Sequence, residues 1–256
     1  MQEAKNMSMP ASAAPTYPVF SDTASSAVGV KGWLSVIIPV YNESRCVATL
    51  LEMVKRVPVP KEIIVVDDGS TDGTRETLLG LMHDPQVHVI FHDRNRGKGA
   101  AIRTGIRHAV GEYIIIQDSD LEYDPADYPA LLEPLKSGGA NVVYGVRPDR
   151  PQRGMSFFLG AKFLTWLTNF LYGCHIRDEA TGYKVFRASL LKRIPLHGNR
   201  FEFCPEVTAK VCRMGERIQE VPISYDPRPK GAGKKIKWTD GLDAIWTLMR
   251  YRFFQP

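Results

Sequence analysis

From Trp33 onward the chain alternates short, β-branched apolar runs with amphipathic stretches, and that alternation narrows the folds open to it. Leu34–Val40 (LSVIIPV), Glu62–Val66 (EIIVV), Val87–His92, Glu112–Gln117 (EYIIIQ) and Asn141–Gly145 read as strands, most of them continuously apolar and so buried on both faces. Ser44–Arg56 places Val47, Leu50, Leu51 and Val54 three and four apart, the spacing of one helix face. Helices are also expected over Lys98–Val110 and Asp127–Lys136. Another should run to about His83 from the Asp-Asp-Gly-Ser-Thr-Asp cluster, where Ser70, Thr71 or Asp72 can cap it. Such alternation predicts an α/β fold with a mainly parallel sheet flanked by helices.

In sheets of this kind ligands collect beyond the carboxyl ends of the strands. The residues there are Pro39 to Glu43, Asp67 to Ser70, Asp93 to Gly99, and Asp118-Ser119-Asp120, an acidic rim with glycines. Asp118 and Asp120 are two apart, so in extended backbone their side chains share one side, and Glu122 can follow. Hard carboxylate oxygens at this spacing suit Mg²⁺ or Mn²⁺, held by few protein ligands while substrate phosphates complete the shell. With 15 Asp in 256 residues, about one Asp-x-Asp is expected by chance. Its position at the end of an apolar strand, level with two other acidic strand ends, singles this one out.

Two phosphate-binding motifs fail. Gly97-Lys98-Gly99 opens like a dinucleotide fingerprint, but Ile102 stands at the third glycine position and the loop follows the third strand. No glycine lies five residues before Gly97 or Gly233, so there is no P-loop. The Gly97–Gly99 loop can still offer backbone amides to an anion at a helix start.

Charge also sorts the function classes. Lys and Arg number 33 against 28 Asp and Glu, a net +5, and residues 225–256 hold seven basic and three acidic side chains, 7 − 3 = +4. A nucleic-acid binder would spread its positive charge as a stripe, so no nucleic-acid partner is expected. The four cysteines, Cys46, Cys174, Cys204 and Cys212, have neither zinc nor disulfide spacing and read as reduced cytosolic thiols. Residues 1–32 lack a secretory pattern, and 18 of them are Ala, Ser, Thr, Pro or Gly, which predicts a flexible tail.

Four blocks in order, VIIPVYNE (36–43), VDDGSTDGT (66–74), RGKGAA (96–101) and QDSDLEYDP (117–125), resemble family 2 glycosyltransferases. DEATGYKVF (178–186), RFEFCPE (200–206) and GKKIKW (233–238) look like the subgroup of dolichyl- or polyprenyl-phosphate mannose and glucose synthases. The resemblance runs from about Leu34 to Phe254. It implies a GT-A fold with a Rossmann-like sheet and C-terminal amphipathic helices, binding a nucleotide-sugar and a divalent cation. By it, residues 33–225 form the glycosyltransferase domain and 226–256 a basic acceptor loop and terminal helix. Pro39, Tyr41 and Glu43 would line the nucleoside pocket, and Asp68 would accept a base N–H, with Val66, Lys98 and Ser119 among the donor contacts. Asp118 and Asp120 would hold the metal, with Glu122 where relatives often place Gln. Arg147, Arg228 and Lys234 match positions that meet phosphates.

The reaction so implied moves mannose or glucose from GDP-mannose or UDP-glucose to a polyprenyl or dolichyl phosphate. A lipid phosphate is already ionised near neutral pH, so it needs guiding cations, and Arg228, Lys230, Lys234, Lys235 and Lys237 supply them. One in-line attack would invert the anomeric centre. Transfer to a hydroxyl is the alternative and would need a base, with Glu202 or Asp178 as candidates; a nucleotide-sugar-binding module without turnover is a third reading. Met155–Cys174 carries a single charge, Lys162, and is open to three readings: a span, a buried or homodimer helix, or a helix on the bilayer surface. Lys162 and Asn169 count against the span, and the surface reading, taken as the leading one, puts the protein peripherally on the cytoplasmic face of a membrane. Trp238, Leu242, Trp246, Met249 and Phe253 form a second stripe that suits either lipid or the core.

Overall fold

The computed structural model describes residues 29–149, 154–228 and 238–254; most of the expected flexible tail and Lys230, Lys234, Lys235 and Lys237 lie outside them. In chain order the elements are β1 (Val30–Val40), α1 (Val47–Arg56), β2 (Lys61–Asp67), α2 (Thr74–Gly80), β3 (Val87–Phe91), α3 (Lys98–His108), β4 (Gly111–Ile116) and α4 (Tyr128–Lys136). They continue with β5 (Val142–Val146), α5 (Met155–Tyr172), β6 (Lys184–Arg187), α6 (Ala188–Leu191), α7 (Phe203–Arg213), β7 (Ile218–Pro222) and α8 (Trp238–Phe253). One sheet takes all seven strands in the order β3-β2-β1-β4-β6-β5-β7. Two buried clusters cover its faces: Leu50, Leu51, Val54 and Leu131 belong to one, Ala101, Ile102, Ile106 and Val207 to the other.

The expected strands and helices are present within a few residues. Strand β1 starts at Val30, earlier than the apolar run suggests, because Val30 N–H donates to Val110 O. None of Ser70, Thr71 and Asp72 caps α2: the N-cap is Gly73, at φ of +93° and without a side-chain cap, while Asp72 just before it ties two loops together, its carboxylate accepting the N–H of Thr74 at 3.1 Å and of Ser44 at 3.1 Å. Burial pushes that carboxyl up, but these donors outweigh it and hold Asp72 at about 2.

The mainly parallel sheet has one reversed member. Strands β1, β2, β3 and β4 pair in parallel, while β6 runs antiparallel between β4 and β5. Chain leaving α5 passes through residues 174–183 at the carboxyl edge before entering the sheet, so β6 must run backwards from the rim. A four-residue strand with no alternating signature left no local trace of this pairing.

Helix α5 lies on the surface and turns an unusual face outward. Thr165, Thr168 and Leu171 are buried, whereas Met155, Leu159, Phe163, Trp166 and Phe170 are exposed. Helix α8 packs beside it through Ala244, Leu248 and Tyr251, leaving Leu242, Trp246 and Phe253 exposed. The stripe read from the sequence of α8 is therefore mostly its outer face, and small or polar residues share its inner one.

Candidate functional site

Parallel pairing sets the strand ends level and builds the rim. Asp68 N–H donates to Val40 O at 2.8 Å, His92 N–H to Asp67 O at 2.8 Å, and Gln117 N–H to Ile37 O at 2.9 Å. Asp67 is fully buried and serves as an anchor, accepting Arg75 Nε at 3.0 Å. Asp68 organises the next loop: its Oδ1 lies 2.7 Å from His92 Nδ1 and accepts Arg96 N–H at 2.9 Å, and its Oδ2 accepts Gly97 N–H at 2.7 Å. A carboxylate only accepts, so His92 Nδ1 carries the proton, and Oδ2 retains capacity for one more donor.

Glycine in the Gly97–Gly99 loop answers to packing. A Cβ on Gly97 would sit 2.3 Å from Asn199 O, Gly97 has φ of +100°, and Ala100 N–H donates to Asn199 O at 3.0 Å. Of the Gly97–Gly99 amides expected to face an anion, that of Gly97 is thus already used by Asp68, and the amide of Ala100 just beyond the loop is used by Asn199.

Asp118 and Asp120 lie in a turn just past β4 and not in extended backbone, because the strand ends at Ile116 and Leu121 takes φ of +60°. Asp118 Oδ1 meets Lys98 Nζ at 2.5 Å. Burial and the neighbouring Asp118 charge push the Asp120 carboxyl up to about 6, while Lys98 and Arg228 pull it down. A pair of hard oxygen donors with an unmet demand for positive charge fits Mg²⁺ or Mn²⁺. Gln117 fixes the turn from below, accepting Tyr128 OH and Tyr183 OH, each at 2.6 Å, on its Oε1.

Glu122 faces elsewhere. Its carboxylate accepts Tyr225 OH at 3.0 Å and Arg228 N–H at 3.0 Å, and its carbonyl accepts Asp226 N–H at 2.9 Å. Among the described residues no group of three or more His, Cys, Asp or Glu side chains is placed to hold a metal. Glu122 is the anchor of the 225–228 segment, drawn there by two donors, and does not stand with the Asp pair. Arg228 then lies across the rim, donating to Asp120 O at 2.8 Å and to Glu43 at 2.6 Å.

Arg147 is held by Asp178 through two parallel bonds of 2.7 Å, and its guanidinium stands 5.3 Å from the Tyr225 ring centroid. Tyr123 connects this pair to the acidic turn, accepting Gly182 N–H at 2.8 Å on its hydroxyl. A Cβ on Gly182 would fall 2.6 Å from Asp118 Oδ2, so only glycine lets the chain pass so close.

The structure brings Tyr41, Glu43, Asp68, Lys98, Asp118, Ser119, Asp120 and Arg228 to one edge of the sheet, and buried Pro39 stands one residue inside it, in register with Val66. Val66 is different: its fully buried side chain packs against the α3 face because alternate residues of β2 point away from the neighbouring layer. Lys234 lies outside the described residues. Among the residues not singled out by sequence are Gln117, Tyr123, Gly182, His92 and Tyr225. Gly182 had a signal, an isolated glycine before the Tyr-Lys-Val-Phe run, where close approach is the usual reason.

The family model for glycosyl transferase family 2 matches residues 35–195. A dodecaprenyl-phosphate galacturonate synthase from Rhizobium johnstonii is 32% identical over 211 residues, 78% of this chain and 61% of that protein. An undecaprenyl-phosphate mannosyltransferase from Micrococcus luteus is 29% identical over 239 residues, 84% of this chain and 97% of that protein. Glucosyl-3-phosphoglycerate synthase from Mycobacterium tuberculosis, solved with Mg²⁺ and uridine diphosphate, superposes with a TM-score of 0.67 at 21% identity, over 87% of this chain and 80% of that one. The family match covers more than half of the chain and includes the strands whose ends form the acidic rim, and on that ground the protein belongs to glycosyl transferase family 2.

Proposed function

We propose that the protein is an inverting hexosyltransferase, moving mannose or glucose from GDP-mannose or UDP-glucose to a polyprenyl or dolichyl phosphate. One observation carries this reading: among the described residues, cations meet the acidic pair, and the two candidate bases are already engaged. Lys98 meets Asp118 and Arg228 crosses Asp120, while of the two bases that a hydroxyl acceptor could use, Asp178 has both oxygens on Arg147 and Glu202 accepts Asn199 N–H at 2.8 Å. An ionised phosphate nucleophile needs no proton removed, and guanidinium forks are suited to hold it. The Rhizobium and Micrococcus relatives, a dodecaprenyl-phosphate synthase and an undecaprenyl-phosphate transferase, support this class of acceptor.

The roles follow from position. Glu43, Tyr41 and Pro39 would border the nucleoside, and Asp68 Oδ2 would accept its base N–H. Asp118 and Asp120 would hold Mg²⁺ or Mn²⁺, which when bound offsets negative charge on the leaving diphosphate. Lys98 would turn from Asp118 toward that diphosphate, and Arg147 and Arg228 would orient the acceptor phosphate for attack opposite the leaving group. Residues 226–256, with Lys234, would form the acceptor segment.

Exposed Phe163, Trp166 and Phe170 on α5, stacked at 5.8 and 5.6 Å, with Leu242, Trp246 and Phe253 on α8, support peripheral docking on the cytoplasmic face of a membrane. Lys162, Arg250 and Arg252 border this face and suit anionic headgroups. No helix among the described residues is long and apolar enough to cross a bilayer.

Asp118→Ala and Asp120→Ala should each abolish sugar transfer to a polyprenyl phosphate while leaving the far-ultraviolet circular dichroism unchanged; retained transfer would overturn the assignment. A thermal-shift panel of UDP- and GDP-sugars with and without Mn²⁺ should give a base-selective rise that names the donor.

A further inference from the structure

The strongest unassigned feature is a basic pocket beside α3. Although the whole chain carries only +5, residues 93–108 hold Arg94, Arg96, Lys98, Arg103 and Arg107 against Asp93, 5 − 1 = +4. Lys98 points to Asp118, but the four arginines converge on a cavity of about 480 Å³, with Asn95 and Asn199 at its wall. Ala100, Arg103, Thr104 and Arg107 stand at i, i+3, i+4 and i+7, one face of α3, and that whole face lines the cavity.

This charge is poorly compensated. Asp93 pairs with Arg96 at 2.6 Å, while Arg94, Arg103 and Arg107 have no ion pair with a carboxylate among the described residues. Glu202 and Glu206 attract Arg103 from a distance but are engaged by the backbone N–H groups of Asn199, and of His197 and Gly198. Arg103 is fixed in place, donating to His197 O at 2.9 Å, to Gly198 O and to Asn199 Oδ1 at 2.7 Å. Like charges four apart on a helix repel, and Arg103 and Arg107 are so spaced. An anion between them would remove that repulsion.

The pocket takes Arg94, Asn95 and Arg96 from the 93–99 loop of the rim, but its lining includes neither Asp68 nor the pair Asp118 and Asp120. Buried His92 stands between the pocket and Asp68, with Nδ1 on Asp68 and Nε2 3.0 Å from Thr104 Oγ1. The pocket is separate from the apolar face of α5 and α8, since no large exposed hydrophobic residue lies in 92–108 or at Asn199. An acyl chain would find nothing to cover there.

We propose that this pocket is a second anion site, taking a soluble ligand that bears a diphosphate or polyphosphate group. Several planar guanidinium forks match adjacent phosphates, each able to donate two parallel bonds, and the volume lies within the range of small-molecule sites. Two asparagine amides add neutral donors to bridging oxygens.

The test is isothermal titration of the full chain with inorganic pyrophosphate, in EDTA so that no metal supports binding at Asp118 and Asp120. One equivalent should bind, and the Arg94→Gln/Arg107→Gln variant should lose at least about tenfold in affinity, since each lost charge-assisted bond exceeds that factor. Both side chains are exposed, so circular dichroism should confirm an unchanged fold. Lys98→Gln, on the rim, should leave the affinity unaltered. Loss of binding in Lys98→Gln with retention in the double arginine variant would overturn the proposal. So would a defect confined to vesicles of phosphatidate in phosphatidylcholine, which would identify a lipid headgroup as the ligand.

Discussion

Arg228 donates to the Glu43 carboxylate at 2.6 Å and so joins the first loop of the rim to chain 185 residues away. Glu43 is nearly buried and Arg228 about one-fifth exposed, so water screens the pair only partly. The segment that carries Arg228 is held at its other end by Glu122, and the two contacts seat it across the turn of Asp118 and Asp120.

Arg228→Ala should destabilise the protein by about 2–3 kcal/mol, because it removes the guanidinium from a nearly buried carboxylate. Urea unfolding checks this, and Glu43→Gln/Arg228→Ala should cost less than the two single changes added together. An additive result would show that the pair is not coupled.

Gly182→Ala should reduce sugar transfer by two orders of magnitude or more while lowering stability by only about 1–3 kcal/mol. The added methyl would press on Asp118 Oδ2 at 2.6 Å and Tyr123 Cε2 at 2.9 Å, so the carboxylate must move. Steady-state kinetics beside thermal unfolding separates the two effects. Unchanged turnover would mean that Asp118 has freedom to shift.

Stability should carry a signature of Glu62. Burial raises this carboxyl above the usual range, against hydrogen bonds from Ser35, Val110 and Gly111, and its Oε2 has no partner. A folded pKa above the unfolded value means that the group's contribution is fully present below about pH 4.3 and is lost as pH rises through the folded value. The Tm of Glu62→Gln relative to the natural protein should therefore climb as pH rises from about 4 through that value. A difference independent of pH would contradict it.

Trp166→Ser/Phe170→Ser should cut partitioning onto anionic vesicles by at least about tenfold, since each large apolar side chain entering the bilayer boundary contributes about 1.5–3 kcal/mol. Both residues are more than half exposed, so Tm should move little. Equal sedimentation of variant and natural protein with vesicles would overturn the docking surface.

Local pattern was enough for much of the architecture. Buried parallel strands need continuous apolar runs, so Leu34–Val40 and Glu112–Gln117 were legible, and strand ends then placed Asp68, Asp118 and Asp120 on one rim. The spacing of Val47, Leu50, Leu51 and Val54 likewise gave both the helix and its buried side.

Tertiary structure decided what depends on chain segments meeting from afar. The reversed entry of β6 sets Gly182 against Asp118, and the 225–228 segment draws Glu122 away from the acidic pair; no spacing in the sequence encodes either approach. Charge shows the same division. Counting along the chain located the basic excess near the C-terminus, but α3 gathers Arg103 and Arg107 onto one face, and the Asp68-held loop brings Arg94 and Arg96 to meet them. Net charge is a sum over sequence, whereas an electrostatic site requires like charges brought within a few ångströms by packing that offsets their repulsion.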